Sequence, residues 1–324
     1  MPDIEYLMKK ALYFLVIVGF TFTTFNLASH YFRNDLYNLA IQFESEKAKL
    51  SSKNITIAHQ PYYYLSRDMN TPTETVVLLH GFSANKENWL RFSQNLPPQY
   101  QIFALDLLGH GEHAIDLDSS YSIEVQLAYI RTFITEIIKQ PIHIVGNSMG
   151  GAIASLYAAT YPEEIKTLML ISPAGVHDFP SLMDNIIEET GSNPLIANSV
   201  EQFFKVIDFV MEDPPFIPDS ILTVQAEKAV NRYTLNQKIF TDLKRDQSKN
   251  LNKKFSLIHT PTLILWGKED RVINVENIRP YTQLIHNAEP IILEGVGHLA
   301  MIEAPELTAQ AFINLSSASE STMK

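Results

Sequence analysis

Pro141-Ile142-His143-Ile144-Val145-Gly146-Asn147-Ser148-Met149-Gly150 is the stretch on which the reading of this chain turns. The apolar run before Gly146 predicts a buried strand, and the small residues Gly151-Ala152-Ile153-Ala154-Ser155-Leu156 predict a helix directly behind it. Between them a sharp turn would hold Ser148 at its apex, hydroxyl pointing away from the sheet. So tight a turn leaves no room for side chains two positions to either side, which accounts for Gly146 and Gly150. A bare G-x-S-x-G arises by chance in roughly one chain in ten of this length, and a serine in a glycine-rich turn is often only a turn. The rest of the chain has to supply the context.

Val76-Val77-Leu78-Leu79 is a short apolar run that ends in His80-Gly81-Phe82-Ser83. A loop released there beside the next strand end can aim a backbone N–H at a developing oxyanion, so Phe82 is one expected donor and Met149, the residue after the serine, the other. Thr262-Leu263-Ile264-Leu265-Trp266-Gly267 repeats the buried-strand pattern and leads into Lys268-Glu269-Asp270. Asp270 is the expected acid, with Glu269 and Glu294 as competing carboxylates. Pro290-Ile291-Ile292-Leu293 runs into Glu294-Gly295-Val296-Gly297-His298, which delivers a histidine on a loop after the last strand.

The chemistry follows from what each group can do near neutral pH. A serine hydroxyl is a weak nucleophile, so His298 must take its proton during attack and return one to the leaving alkoxide. Asp270 would fix the imidazole tautomer, and the Phe82 and Met149 amides would hold the charge of the tetrahedral intermediate. An ester then yields an acid and an alcohol by way of an acyl-enzyme. His80, at a strand end, is expected to make a structural hydrogen bond, and Asp106 to shape the loop after its own strand and to tie down the oxyanion loop.

A chain of 324 residues can bury one large core. The net charge of −11 makes nucleic acid an unsuited partner and gives no reason to expect an acidic substrate, which an anionic protein repels at long range. The absence of cysteine excludes disulfides and thiolate metal sites. Neither metal-ligand spacing among the ten histidines nor a phosphate-binding glycine loop is present, so no cofactor and no metal are expected.

From Ala11 to Ala28 the chain is predominantly apolar and follows Lys9-Lys10. That length approaches a membrane span. It also fits a signal peptide, although Asn26-Leu27-Ala28 offers a poor cleavage site; an uncleaved anchor is the preferred reading. The basic pair puts the N-terminus inside and the rest of the chain on the extracytoplasmic side, the periplasm in a Gram-negative cell. Cleavage would instead give a secreted protein. Beyond it, Phe32, Leu36, Leu39, Ala40 and Phe43 recur at helical spacing. They predict an amphipathic helix packed on the domain, or alternatively one lying in the membrane interface.

Elsewhere strands alternate with helices. Gln101 to Asp106 and Thr167 to Ile171 read as strands, and Ser122 caps a helix with apolar positions Ile123, Leu127, Ile130, Ile134 and Ile137. Alternation predicts an α/β fold, a mostly parallel central sheet with helices on both faces. It breaks between residues 176 and 252, a helical insertion expected to cap Ser148. The organisation read is therefore 1–28 anchor or signal segment, 29–50 amphipathic helix, 51–175 and 253–324 the two parts of the core, and 176–252 the cap. The cap is rich in apolar side chains, of which Phe179, Phe204, Phe209 and Phe216 are the expected lining of an acyl-chain tunnel. Pro214-Pro215-Phe216-Ile217-Pro218 cannot continue a helix and reads as a rigid connector.

His80-Gly81-Phe82-Ser83-Ala84-Asn85-Lys86-Glu87-Asn88-Trp89, Gly146 to Gly151, Trp266 to Asp270 and Gly297-His298 together resemble bacterial lipases of the α/β-hydrolase fold, and also the membrane-anchored monoacylglycerol lipases of that superfamily. The order serine, acid, histidine is that of the superfamily. The resemblance runs from about Ile41 to the last helix. It implies hydrolysis of carboxylic esters in acylglycerols, a lipid substrate, and membrane attachment through the N-terminal segment. Two other readings compete. The serine turn is also similar to that of carbon–carbon hydrolases of aromatic degradation, and a hydrolase fold can serve as a non-catalytic binding module.

Overall fold

The computed structural model describes residues 31–67, 69, 74–247 and 251–322, together with 6, 8, 10, 13 and 14. Of the expected anchor only Tyr13 and Phe14 are among them; the remainder of Ala11 to Ala28 lies outside the described residues. No helix among the described residues is long and apolar enough to cross a membrane.

The chain runs α1 (Arg33–Ala48), β1 (Ser51–Ile57), β2 (Gln60–Ser66), β3 (Glu74–Leu79), α2 (Leu90–Gln94), β4 (Tyr100–Leu105), α3 (Ile123–Phe133), β5 (Ile142–Asn147), α4 (Met149–Thr160) and β6 (Ile165–Ile171). Four helices follow, α5 (Leu182–Thr190), α6 (Val200–Val210), α7 (Asp219–Asn231) and α8 (Tyr233–Gln247). Then come β7 (Thr262–Gly267), α9 (Ile278–Leu284), β8 (Ala288–Leu293), α10 (Ala300–Glu303) and α11 (Pro305–Thr322).

The eight strands form one sheet in the order β1-β2-β4-β3-β5-β6-β7-β8. Pairing is antiparallel from β1 through β2 to β4 and parallel from β4 onward. The central strands are buried on both faces, which is why they read as unbroken apolar runs rather than alternating ones. Val77, Leu79, Ile144, Leu170 and Trp266 enter one core with α3 and α4, whereas Val76, Leu78, Val145, Ile171 and Leu265 enter the other with α2 and α11. Period-two alternation thus feeds two cores from a single sheet. Parallel strands release their carboxyl ends along one edge, and the loops after β3, β5, β7 and β8 emerge there together.

One feature of the structure lies outside the sequence reading and another differs from it. The β1–β2 hairpin turns on Ala58 and His59, both at positive φ (48° and 67°), where the glycine or asparagine that usually announces such a turn is missing. On α1, the stripe expected to pack on the domain faces outward: Phe32, Leu36, Leu39 and Phe43 are exposed and Ala40 is half-buried. The packed face carries Tyr37, Ile41, Glu44 and Ala48, and Arg33 pairs with Glu227 of α7 at 2.9 Å. Helix α7 offers Arg33 a carboxylate and Tyr37 a cation, and these partners hold α1 in a rotation that runs against the hydrophobic stripe.

Candidate active site

Ser148 stands at the junction of β5 and α4 with φ 52° and ψ −116°, a strained conformation for a residue with a β-carbon. Its backbone is fixed from both sides: its N–H donates to Ile171 O (3.0 Å) and its carbonyl accepts from Ala174 N (3.0 Å). A β-carbon at position 146 would collide with the Gly150 carbonyl, and one at 150 with the Leu79 carbonyl. Both glycines are therefore required by close approach of backbone, as the spacing had implied.

Asp270 and His298 arrive on the loops after β7 and β8. His298 Nδ1 donates to Asp270 Oδ2 over 2.8 Å, and both residues are buried. Asp270 is held in turn by the Trp266 indole N–H (3.0 Å) and by the amides of Val272 (2.8 Å) and Ile273 (3.0 Å). With Nδ1 carrying the proton, Nε2 of the neutral ring is the basic nitrogen. The competing carboxylates go elsewhere: Glu269 accepts from the Val296 amide (3.0 Å), and Glu294 pairs with Lys268 in solvent.

The loop holding Phe82 is clamped to the loop after β4. His80 Nε2 accepts from Leu107 N (3.0 Å), so its Nδ1 donates to Gly81 O (2.7 Å). Burial pushes the His80 pKa down to about 4, which keeps the ring neutral and suited to this structural bond. Asp106 accepts from the amides of Lys86 (2.9 Å) and Glu112 (3.0 Å) and from the Lys86 ammonium (2.9 Å). Burial is the largest influence and opposes its ionisation, but the Lys86 charge and the hydrogen bonds from the Lys86 ammonium and amide together hold the carboxyl below its ordinary range. Among the described residues no other group takes up the Phe82 or Met149 amide.

Two cavities meet at Ser148. The smaller, about 100 Å³, is almost wholly apolar and runs between Met149, Ala152, Leu156, Met183, Phe240, Phe255, Val272 and Ile273. The wider one, about 550 Å³, also reaches His298 and is bordered by Tyr37 of α1 and by α7; it carries Asn85, Lys86, Glu87, Gln225, Lys228, Arg232 and Asn236 beside an apolar wall from α6. Phe82 lines both. Phe179, Phe204, Phe209 and Phe216 line neither. Phe216 is 89% exposed on its proline-rich connector, and Phe209 packs against the core. Phe203, one step round α6 from Phe204, faces the wide cavity instead. A list of aromatic residues cannot reveal helix phase, and Phe240 and Phe255 come from segments where the sequence reading named no lining residues.

Sequence reading also missed Glu303. Its carboxylate collects the amides of Gly297 (2.9 Å), Leu299 (3.1 Å), Glu212 (2.7 Å) and Asp213 (3.2 Å). One side chain thereby joins the His298 loop to the connector after α6, beside a further bond from His298 N to Val210 O (2.8 Å). No local motif signals it, because all four donors are backbone atoms. Among the described residues no cluster of side chains is arranged to hold a metal ion.

Comparison with known proteins places this geometry. Residues 74–305 match the model of the alpha/beta hydrolase fold family. Lipase 1 of Psychrobacter immobilis is 34% identical over 279 residues, covering 84% of this chain and 86% of its own. Monoacylglycerol lipase ABHD6 of Homo sapiens is 30% identical over 271 residues, covering 80% of each. The crystal structure of a membrane phospholipase A, described as a bacterial virulence factor, superposes with a TM-score of 0.85 at 32% identity, over 98% of this chain and 99% of that one. With most of its length matched by the family model and by relatives of this similarity, the chain belongs to the alpha/beta hydrolase family.

Proposed function

We propose that this carboxylic ester hydrolase acts on acylglycerols, with Ser148 as nucleophile, His298 as general base and then acid, and Asp270 as the group that orients the imidazole and stabilises its charged form. The observation that carries the reading is the His298–Asp270 bond of 2.8 Å, with His298 lining the same wide cavity as a serine on a strained elbow and Asp270 buried behind the imidazole. His298 Nε2 takes the Ser148 proton as Oγ attacks the ester carbonyl carbon, and the amides of Phe82 and Met149 hold the resulting oxyanion. The carbon–oxygen bond to the alcohol breaks as His298 returns the proton. Water then repeats the sequence on the acyl-enzyme and releases the acid. The narrow apolar cavity suits the acyl chain and the wide polar one the alcohol. Helices α5 to α8 act as the cap that keeps bulk water from the acyl-enzyme.

The relatives named above include lipases and a monoacylglycerol lipase, which supports acyl lipids as the substrate class here. The apolar run from Ala11 to Ala28 acts as the membrane anchor, with the hydrolase domain on the extracytoplasmic side. In this reading the outward stripe of Phe32, Leu36, Leu39 and Phe43 rests in the membrane interface next to that anchor. A hydrolysis panel of mono-, di- and triacylglycerols with short and long chains, plus an aromatic diketone, tests the proposal. Turnover of acylglycerols that disappears in Ser148→Ala supports it. Activity confined to the diketone, or surviving the serine substitution, overturns it.

A further inference from the structure

The loop that carries Phe82 is fastened to the loop after β4 at its two ends, through His80 and Lys86. Its middle has no such fastening. Among the described residues the backbone of residues 82–84 makes a single hydrogen bond, a long one of 3.4 Å from Ala84 N to Gly81 O within the loop itself. Ser83 also stands at φ 59°, in the left-handed region that disfavours a residue with a β-carbon. Such a conformation persists where surrounding contacts over-determine it. Helix α8 supplies them. Asn236 Nδ2 donates to Ser83 Oγ over 3.1 Å, between residues 153 apart in the chain. One turn further along, the Phe240 ring lies 5.9 Å from the Phe82 ring, and Phe82 packs against the buried cluster of Leu235, Ile239 and Tyr121. From the opposite side the His110 ring meets Phe82 edge-on at 6.2 Å. Helix α8 is itself docked by Asp242, which accepts from the Tyr121 amide at 3.0 Å. Asn236 is only 3% exposed, so its bond to Ser83 is shielded from water, and both residues border the wide cavity together with Ser148.

We infer that Asn236 is a positioning residue for the oxyanion donor: through Ser83 it fixes the middle of the loop, so that the Phe82 N–H points to where charge develops on the ester oxygen. The inference rests on the proposed function, which makes the Phe82 amide one of two donors. Asn236 acts through Ser83 and touches no reacting atom. Its influence falls mainly on the transition state, because a donor aimed at an oxyanion gains far more there than at the neutral carbonyl of the bound ester. The oxyanion position is then assembled from two parts of the chain, the core holding the ends of the loop and α8 its centre. The cap is thereby part of the machinery for turnover as well as a cover.

The test measures kcat and KM on a soluble short-chain ester, and the Ki of an alkyl trifluoromethyl ketone of similar chain length. It uses wild type, Asn236→Leu, Asn236→Gln, Ser83→Ala, the Asn236→Leu/Ser83→Ala pair and Ser148→Ala, each checked for folding by circular dichroism. Ser148 Oγ adds to the ketone carbon, and the ketone oxygen becomes the anion that the Phe82 and Met149 amides hold. Asn236→Leu, close in size, is expected to lower kcat by about tenfold to hundredfold, less than loss of a whole donor, with KM changed by less than about twofold. The ketone Ki should rise by the factor by which kcat/KM falls. Ser83→Ala removes only the hydroxyl and should match this loss, and the pair should lose no more than either change alone. Asn236→Gln keeps the amide and should retain most of the rate. An unchanged kcat, a loss carried by KM alone, a ketone Ki that does not follow the rate, or losses that add in the pair overturns the inference. A wild type that the ketone does not inhibit, or ester turnover that survives Ser148→Ala, instead overturns the hydrolase assignment on which it depends.

Discussion

The Lys86 ammonium lies 2.9 Å from Asp106 Oδ2, with both side chains withdrawn from solvent, and this ion pair joins the loop bearing Phe82 to the loop after β4. The Lys86 and Glu112 amides complete the shell around the carboxylate, and a β-carbon at Gly111 would collide with it. The loop proposed to supply one amide to the oxyanion position is therefore anchored through a charge that cannot be lost cheaply. Lys86→Met should destabilise the fold by about 3 to 5 kcal/mol, the usual cost of stranding a buried charge. A lower urea midpoint for Lys86→Met than for Lys86→Arg checks this, and equal midpoints would contradict it.

In the proposed mechanism Asp270 directs the imidazole tautomer through its 2.8 Å bond to Nδ1. Asp270→Asn can offer its amide N–H to Nδ1 and so favour the tautomer with the proton on Nε2, where it cannot act as base. A fall in kcat of about 10³ to 10⁴ with little change in KM is expected. Steady-state kinetics on a soluble short-chain ester, with circular dichroism to verify folding, measures it.

Glu303 offers a different test, because it touches neither substrate nor triad side chains. Glu303→Gln keeps one acceptor oxygen where four amides converge, which should loosen the His298 loop and the connector after α6 together. A loss of about 1 to 3 kcal/mol of stability is expected from unsatisfied amides. The accompanying drop in kcat should exceed the rise in KM. Hydrogen exchange faster at residues 210–213 and 297–299 alone would locate the effect; unchanged exchange there would refute it.

Stability should fall on acidification before most carboxylates titrate. Burial lowers His80 to about 4 and His110 to about 3, against an unfolded value near 6.5. Below pH 6.5 the unfolded chain binds protons that these buried rings refuse, so stability is full above that pH and is lost as pH falls toward 4. His80 alone accounts for a loss on the order of 3 kcal/mol across that window. Urea titrations at pH 7.5 and 5.0 should show the drop, and His80→Asn should flatten the dependence. A midpoint independent of pH over this range would rule the mechanism out.

The outward stripe of α1 gives a membrane test. Leu36→Glu with Leu39→Glu should weaken binding to vesicles of zwitterionic lipid containing anionic phosphatidylglycerol, since each exposed leucine contributes about 1.5 to 3 kcal/mol when buried in an apolar phase. Co-sedimentation of the full chain with such vesicles, made as wild type and double variant, is the measurement. Equal binding of the two would leave the stripe without a role at the membrane.

What the sequence by itself determined is local. Apolar runs ending in glycine-bearing loops identified the strands after which Ser148, Asp270 and His298 stand, because strand burial and close backbone approach restrict residue type over a few positions. Ser122 announced its helix in the same way, accepting from Val125 N at 3.3 Å. Tertiary structure decided whatever depends on partners distant in the chain. The rotation of α1 follows from Glu227 and Lys228, almost two hundred residues away, and it turned the predicted packing stripe outward. Phe203 rather than Phe204 reaches the cavity because α6 is placed by its packing against the core. Glu303 was invisible because its partners are backbone amides, which every residue except proline carries. Local sequence specifies conformation through sterics and hydrophobic period, whereas long-range charge and amide pairing is settled only when the chain has closed on itself.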